Sequence, residues 1–260
     1  MALALPDAGD GAAAVLPEAS EKAAGVLPDP GEKAAVVQSM FDRIAPRYDR
    51  LNSVLTLRLD RAWRRATIDA AEIRPGDRVL DVACGTGDLV ELARARGARV
   101  AGIDFAAGML AVAERRGSRG RVVRGDALAL PLADAATDAI TCAFALRNFV
   151  AIPPFFAEAA RVLCGGGRLA VLEVAEPRNA LLRAGHRLYF RRAVPILGGL
   201  LSDRSAYAYL PASTAYLPPP EELAEMLRAV GFTDVRRRAF GLGAAQLISA
   251  RRVPRTGARA

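Results

Sequence analysis

The sequence predicts an α/β protein: a doubly wound, mostly parallel seven-stranded sheet, with a helical cap before it and a helical insert within it. Three observations lead there. Between about residues 78 and 174, short apolar strands alternate with helical stretches of roughly 10–15 residues, the pattern of βαβ units with a sheet covered on both faces. The first run, Arg78-Val79-Leu80-Asp81-Val82, passes through Gly85-Thr86-Gly87 into Asp88-Leu89-Val90-Glu91-Leu92-Ala93: a strand, a tight turn and a helix N-terminus. The chain then closes on two strand-like runs near enough to pair as a hairpin.

Residues 1–33 are rich in Ala, Gly, Pro and acids, with near-copies at Val15-Leu16-Pro17-Glu18 and Val26-Leu27-Pro28-Asp29. They lack a sustained apolar period and read as a flexible leader. The main domain spans 34–252. Its cap, 34–72, starts with a helix from Lys33 to Ile44, where Val36, Val37, Met40, Phe41 and Ile44 recur at helical spacing. Pro46 interrupts it, and a second helix runs to about Ala71. Arg74-Pro75-Gly76-Asp77 is a turn. Strands are expected near 78–83, 99–104, 121–125, 138–144 and 167–174, with helices near 87–96, 107–115 and 153–163. A lid-like insert occupies 179–210. A helix at Pro220–Val230 and strands at Gly231–Phe240 and Ala244–Arg252 follow, and 253–260 is a flexible tail.

At 260 residues, 52% hydrophobic and 25% charged, the chain has the composition of an ordinary globular domain. No apolar run reaches the roughly 18 residues of a membrane span. The opening Met1–Asp7 lacks a basic segment and a long apolar core, so no signal peptide is expected. Cys84, Cys142 and Cys164 are odd in number and form no CxxC pair. That argues against a disulfide framework and against a metal site, and for a reduced, cytoplasmic setting. A net charge of +8 permits nucleic acid or an anionic membrane surface as a partner. The arginines are scattered, however, and the densest groups, Arg236-Arg237-Arg238 and Arg251-Arg252, fall on the terminal strands, so no nucleic-acid partner is expected.

Ligands of such a sheet bind at the carboxyl ends of its strands. The first end carries Asp81 and Gly85-Thr86-Gly87. Gly-x-Gly alone is a weak signal, and a dinucleotide fingerprint would need a third glycine where Val90 stands. Asp81 beside the loop suits a cationic ligand better than a phosphate. The second end places Asp104 where a carboxylate can accept both hydroxyls of a ribose. At the third, Asp126 can accept from an adenine amino group while Ala127 leaves room for the ring. The fourth is Phe144-Ala145-Leu146-Arg147-Asn148. One Asp after a strand is more often a helix cap than a ligand; three at successive ends, beside a glycine turn, favour a nucleoside-like ligand.

Five separated motifs between about Val37 and Arg252 narrow this further. They are Phe41-Asp42-x-Ile44-Ala45-x-x-Tyr48-Asp49-x-x-Asn52, Trp63-Arg64-Arg65, Leu80-Asp81-x-x-Cys84-Gly85-Thr86-Gly87-Asp88, Phe144-Ala145-Leu146-Arg147-Asn148 and Tyr207-x-Tyr209-Leu210-x-x-Ser213. Through them the chain resembles the class I S-adenosylmethionine-dependent methyltransferases, and more narrowly the quinone-biosynthesis C-methyltransferases that act on demethylmenaquinone and on the ubiquinone precursor. The resemblance implies S-adenosyl-L-methionine as cofactor, held by Thr86, Asp104 and Asp126-Ala127, around the turn of Asp81, Gly85 and Gly87. It implies C-methylation of a hydrophobic quinol, demethylmenaquinol to menaquinol. The alternative substrate is another aromatic or polyketide-like molecule.

A hydroxynaphthol ring attacks through carbon once its hydroxyl gains phenolate character. Arg147 is the expected stabiliser of that oxyanion, with a salt bridge to a neighbouring helix as its bland alternative, and Asn148 is expected to orient the hydroxyl or a water. Asp60 and Tyr48 are the candidate bases, with proton transfer through water equally open. Trp63 and Tyr48 either close over the cofactor or anchor the cap. Ala143 stands where the family often has a serine that contacts the cofactor, while the departures at Thr56-Leu57-Arg58, Asp60 and Tyr216-Leu217-Pro218 bear on which quinone is used. The insert mixes apolar and cationic residues from Leu181 to Leu201. It suits either a peripheral contact with the inner face of the membrane or a packed lid, and a homodimer is compatible with it. His186 reads as structural, and the cysteines as small core residues. A nicotinamide oxidoreductase or a non-enzymatic nucleotide-binding protein is the competing class, and binding of NAD would favour the first of these.

Overall fold

The computed structural model of the chain describes residues 27–29, 31–188, 209 and 212–254. Strands β1 (Arg78–Val82), β2 (Arg99–Asp104), β3 (Val122–Arg124), β4 (Thr137–Ala143), β5 (Leu163–Val174), β6 (Phe232–Phe240) and β7 (Ala245–Arg252) form one sheet of order β3-β2-β1-β4-β5-β7-β6. The first five pair in parallel, and β7 runs antiparallel to both β5 and β6. This is the doubly wound, mostly parallel sheet the alternation predicts. Strand order reverses between β1 and β4, which opens a crevice at their carboxyl ends.

Why these runs become central strands follows from the period of two. Leu80, Val82, Ile140, Cys142, Leu169 and Val171 feed one apolar layer with Phe155 and Phe156, while Val79, Ala139, Ala170 and Leu172 feed the other with Ile68 and Leu89. Both faces are therefore buried. Each large side chain so removed from water is worth about 1.5–3 kcal/mol before its ordering entropy is subtracted. Helices α1 (Lys33–Ile44), α2 (Tyr48–Leu55) and α3 (Leu59–Ala70) build the cap; α4 (Asp88–Ala95), α5 (Ala107–Ala113), α6 (Ile152–Val162), α7 (Ala180–Leu188) and α8 (Pro220–Ala229) follow.

Several boundaries differ from expectation. The cap's second helix is two: α2 and α3 break at Thr56–Arg58, where Leu57 and Arg58 take positive φ of 51° and 63°. Pro46 does not end the helical path, because it lies in a 3-10 turn, Ala45–Arg47, where its missing N–H costs no bond. Strand β5 starts at Leu163, directly after α6, rather than near residue 167. A register shift between Thr137 and Ala139 on β4 absorbs the glycines.

Of the leader, residues 27–29 and 31–33 are described, and they touch the body. Leu27 packs on the cap's apolar cluster, and Tyr216 donates to the Pro28 carbonyl at 3.2 Å. Lys33 is buried, its Nζ donating to the Phe149 carbonyl at 2.6 Å and standing 3.7 Å over the Tyr216 ring. Burial pulls that amine down to about 8. Most of the insert, and the side chain of His186, lie outside the described residues; within it, the Asn179 side chain caps the Leu181 and Leu182 N–H groups of α7. Cys84 and Cys142 are buried and Cys164 is half-buried, all three as free thiols. Among the described residues no helix is long and apolar enough to cross a membrane.

Candidate active site

The turn after β1 needs its glycines. Ala83, Gly85 and Gly87 all have positive φ, at 53°, 53° and 86°. A Cβ at Gly87 would stand 2.9 Å from Ser118 Oγ and 3.3 Å from Ala113 Cβ, whereas a Cβ at Gly85 would meet open space. Gly87→Ala is therefore expected to cost about 1–3 kcal/mol and to weaken nucleoside binding, read by urea unfolding and calorimetry; an unchanged unfolding midpoint would contradict it. Asp104, at the end of β2, fixes the turn: its carboxylate accepts from Gly85 N–H at 2.8 Å and from Ala106 N–H at 2.9 Å.

Two acids of the cap motif tie it to this edge. Asp42 accepts from Gly108 N–H, at the start of α5, at 2.7 Å. Asp49 accepts from Thr86 Oγ1 at 2.6 Å and from Arg116 at 2.7 Å, and Arg116 also bonds Asp88 at 2.6 Å. Anchoring Asp49 in this way sets its neighbour Tyr48 over the crevice.

A cavity of about 320 Å³ results, at the lower end of the usual range for small-molecule sites. Gly85, Asp104, Phe105, Met109, Gly125, Asp126, Ala127 and Leu128 line it from the β1, β2 and β3 ends. Phe144 and Asn148 come from the β4 end, and Gln38, Phe41 and Tyr48 from the cap. Burial raises the carboxyl of Asp104, and it raises that of Asp81, beneath the turn, to about 7. Thr141 Oγ1 donates to Asp81 at 2.8 Å. Desolvated acids under a nucleoside-sized slot suit a ligand that carries both a sugar and positive charge, so the residues fit an adenosyl sulfonium.

Tyr48, Gly85, Asp104, Asp126, Ala127 and Asn148 thus share one cavity, while the other expected site residues stand around it. Asp126 spends one oxygen on the Leu128 N–H at 2.9 Å. Thr86 turns its hydroxyl to Asp49, and Gly87 is the N-cap residue before α4. Asp60 is buried against α3's own end, accepting from Thr56 Oγ1 at 2.7 Å and lying 3.8 Å from Arg64. It does not reach the cavity as a base would. Trp63 stacks on Phe240 at 6.3 Å, in its role as an anchor.

Arg147 is the largest correction. Rather than facing the reacting centre as a free cation, it is buried and pairs with the fully buried Glu173 of β5, while its Nη1 also donates to the Phe144 carbonyl at 2.9 Å. A buried guanidinium needs a carboxylate, and the partner is on the adjacent strand, not on a helix. The pair secures the sharp turn after β4. Phe144 has φ of 59°, and its carbonyl also accepts from Asn148 Nδ2 at 3.3 Å. Tyr209 donates to Asn148 Oδ1 at 3.2 Å.

Glu173 escaped the sequence reading, although an acid inside Leu169-Ala170-Val171-Leu172-Glu173-Val174 is itself a signal: a charge in an apolar strand, at its ligand end. Arg64 stands in the motif Trp63-Arg64-Arg65, which assigns it no role. It is buried, 3.3 Å from Asp88, with its guanidinium carbon 5.3 Å from the Phe144 ring centroid.

With this geometry in hand, the likeness to known proteins is informative. The ubiE/COQ5 methyltransferase family matches residues 30–251. A demethylmenaquinone methyltransferase of Roseiflexus sp. (strain RS-1) is 48% identical over 216 residues, covering 81% of this chain and 91% of that protein. Its namesake in Deinococcus radiodurans is 48% identical over 214 residues, covering 79% and 89%. The ubiquinone/menaquinone biosynthesis C-methyltransferase UbiE of Geobacter sulfurreducens is 41% identical over 217 residues, covering 79% and 85%. Among solved structures, the [4+2]-cyclase SpnF superposes with a TM-score of 0.62 at 19% identity, covering 88% of this chain and 98% of that one. A SAM-dependent methyltransferase of Thermotoga maritima, a possible histamine N-methyltransferase, gives 0.59 at 19%, covering 83% and 99%. At that identity the structures speak for the fold alone.

Proposed function

This chain belongs to the ubiE/COQ5 methyltransferase family, and we propose that it methylates a ring carbon of a reduced, prenylated quinone precursor, demethylmenaquinol, with S-adenosyl-L-methionine as donor. The relatives named demethylmenaquinone methyltransferase support this substrate. The observation that carries the reading is the span of one cavity from the acids and small residues of the β2 and β3 ends to Tyr48 and Asn148. The first group suits an adenosyl moiety and the second a phenolic ring. When bound, the donor supplies a methyl group already activated on a sulfonium, so the chain's task is to align the ring and exclude water.

Asp104 and Asp126 receive the sugar hydroxyls and the adenine edge, Ala127 and Leu128 leave an apolar slot for the base, and Asp81 and Asp104 favour the positive charge. Tyr48 acts as a donor. Burial raises its phenol above the usual value, while Arg64, a side-chain bond to Asn52, and Arg147 pull the other way. A phenol that keeps its proton at neutral pH gives a hydrogen bond to the substrate oxyanion rather than taking a proton from it. Asn148, oriented by Tyr209 and Phe144, supplies the second contact. The ring carbon gains the methyl group, and the displaced ring proton leaves through water.

Tyr48→Phe is expected to lower kcat by roughly 100-fold, the scale of one oxyanion donor, with affinity for S-adenosylhomocysteine unchanged. Wild-type turnover in that variant would remove Tyr48 from the mechanism. At the level of the cell, deleting the chain is expected to leave the demethylated menaquinone in place of the finished one, and an unaltered quinone pool would overturn the proposal.

A further inference from the structure

The mechanism leaves unused a set of leucines held into solvent at the α2–α3 corner and at the turn between β6 and β7. Leu57 is 79% exposed, Leu242 76% and Leu59 47%. Leu57 and Leu242 also take positive φ, 51° and 57°. The left-handed region is unfavourable for a residue with a bulky side chain, and water is unfavourable for an isobutyl group. Both penalties together mark a site where function, not folding, sets the residue.

Packing brings these leucines to one rim although they come from distant parts of the sequence. Trp63, one helical turn after Leu59, stacks on Phe240, and its ring lies 3.0 Å from where a Gly241 Cβ would stand. The α2–α3 corner therefore abuts the turn between β6 and β7. Ala175 N–H donates to the Ala244 carbonyl at 2.9 Å, which fixes that turn beside the carboxyl end of β5, the ligand edge of the sheet. Phe144, which lines the cavity, packs into the same apolar cluster as Trp63 and Phe240. One apolar cluster thus borders both the cavity, through Phe144, and the corner that carries the leucines, through Trp63 and Phe240.

Charge identifies the occupant. Arg58 is exposed between Leu57 and Leu59, Arg61 and Arg65 are exposed farther along α3, and the one acid between Val54 and Ala66 is Asp60, buried beside Arg64. Separate leucine prongs among cations make a poor flat interface for a folded protein. A fluid bilayer admits each prong individually, and its anionic headgroups meet the arginines. We infer that Leu57, Leu59 and Leu242, with Arg58, Arg61 and Arg65, form a docking surface for an anionic lipid bilayer, which presents the cavity to a prenyl tail held in the membrane. This rests on the quinol reading for the tail alone; the surface stands on its own geometry.

The test is co-sedimentation of the full chain with vesicles of phosphatidylglycerol and phosphatidylcholine. The wild type is expected to pellet with them and to be released by salt. The variant carrying L57S, L59S and L242S is expected to lose roughly tenfold or more of the bound fraction, with S-adenosylhomocysteine binding and thermal unfolding unchanged. The variant carrying R58Q, R61Q and R65Q is expected to lose the salt-sensitive part. A wild type that stays in the supernatant, or a leucine variant that pellets equally, would overturn the surface. A parallel assay on a short-chain, water-soluble quinol separates the two readings. The leucine variant should methylate it at the wild-type rate; a wild type that binds vesicles but methylates no quinol sinks the enzymatic reading and keeps the surface.

Discussion

Arg147→Ala is expected to unfold about 3–5 kcal/mol more easily than the wild type and to lose nearly all turnover. Removing the guanidinium leaves Glu173, with no exposed surface, as an uncompensated buried carboxylate. It also releases the Phe144 carbonyl, so the left-handed turn that aims Asn148 into the cavity loses its main restraint. The loss of activity thus follows from position, not from direct contact of Arg147 with substrate. A double variant, Arg147→Met with Glu173→Leu, separates the two effects. Replacing both charges with apolar side chains of similar volume removes the unpaired carboxylate, so urea unfolding should return toward the wild type while turnover stays low. Should Arg147→Ala keep the wild-type unfolding midpoint, the pair does not hold the turn.

Asp81→Asn has the second large effect, and its sign is unusual. Burial raises the Asp81 carboxyl to about 7, opposed by the Thr141 hydroxyl and by Arg64. In the unfolded chain the same group titrates near 4. Between about pH 4 and 7 the folded state keeps a proton that the unfolded state has lost, so stability from this group is fully present below about pH 4 and disappears as pH rises through about 7. Three units correspond to roughly 4 kcal/mol as an upper bound. Asparagine has no such titration. Asp81→Asn is therefore expected to be more stable than the wild type at pH 8 by about 2–4 kcal/mol, with the advantage fading toward pH 4. It should also bind the cationic cofactor more weakly. Unfolding midpoints of both proteins at pH 5 and pH 8 decide this; parallel behaviour would mean that Asp81 is not the desolvated acid described.

What was legible in the sequence was what is local. The central strands announced themselves because they are short apolar runs with both faces buried, whereas β6, with Arg236-Arg237-Arg238, is mostly exposed. The glycine turn and the acids of the first three strand ends could be placed because each follows its strand directly. Arg147 could not be read correctly, since its partner lies 26 residues away across the β4–β5 pairing, and a motif does not state which way a side chain turns. Asp60 failed for a similar reason: the break at Thr56–Arg58 made it a first-turn residue of α3, bonded to Thr56 instead of facing the crevice. Asp42 and Asp49 drew attention as parts of a motif, and the structure gives them the plain work of anchoring the cap. The start of β5 was hidden because three glycines in a strand look like a turn until the register shift with β4 is seen.

The central claim is transfer of a methyl group to a ring carbon, and one measurement addresses it directly. The chain, a methyl-deuterated S-adenosyl-L-methionine and chemically reduced demethylmenaquinone should yield a menaquinone with the labelled methyl on carbon, identified by mass spectrometry and by its position on the ring. Oxidised substrate should yield none, because the quinone lacks the nucleophilic phenolate carbon. A labelled methyl ether, or no transfer to the reduced substrate, would contradict the account.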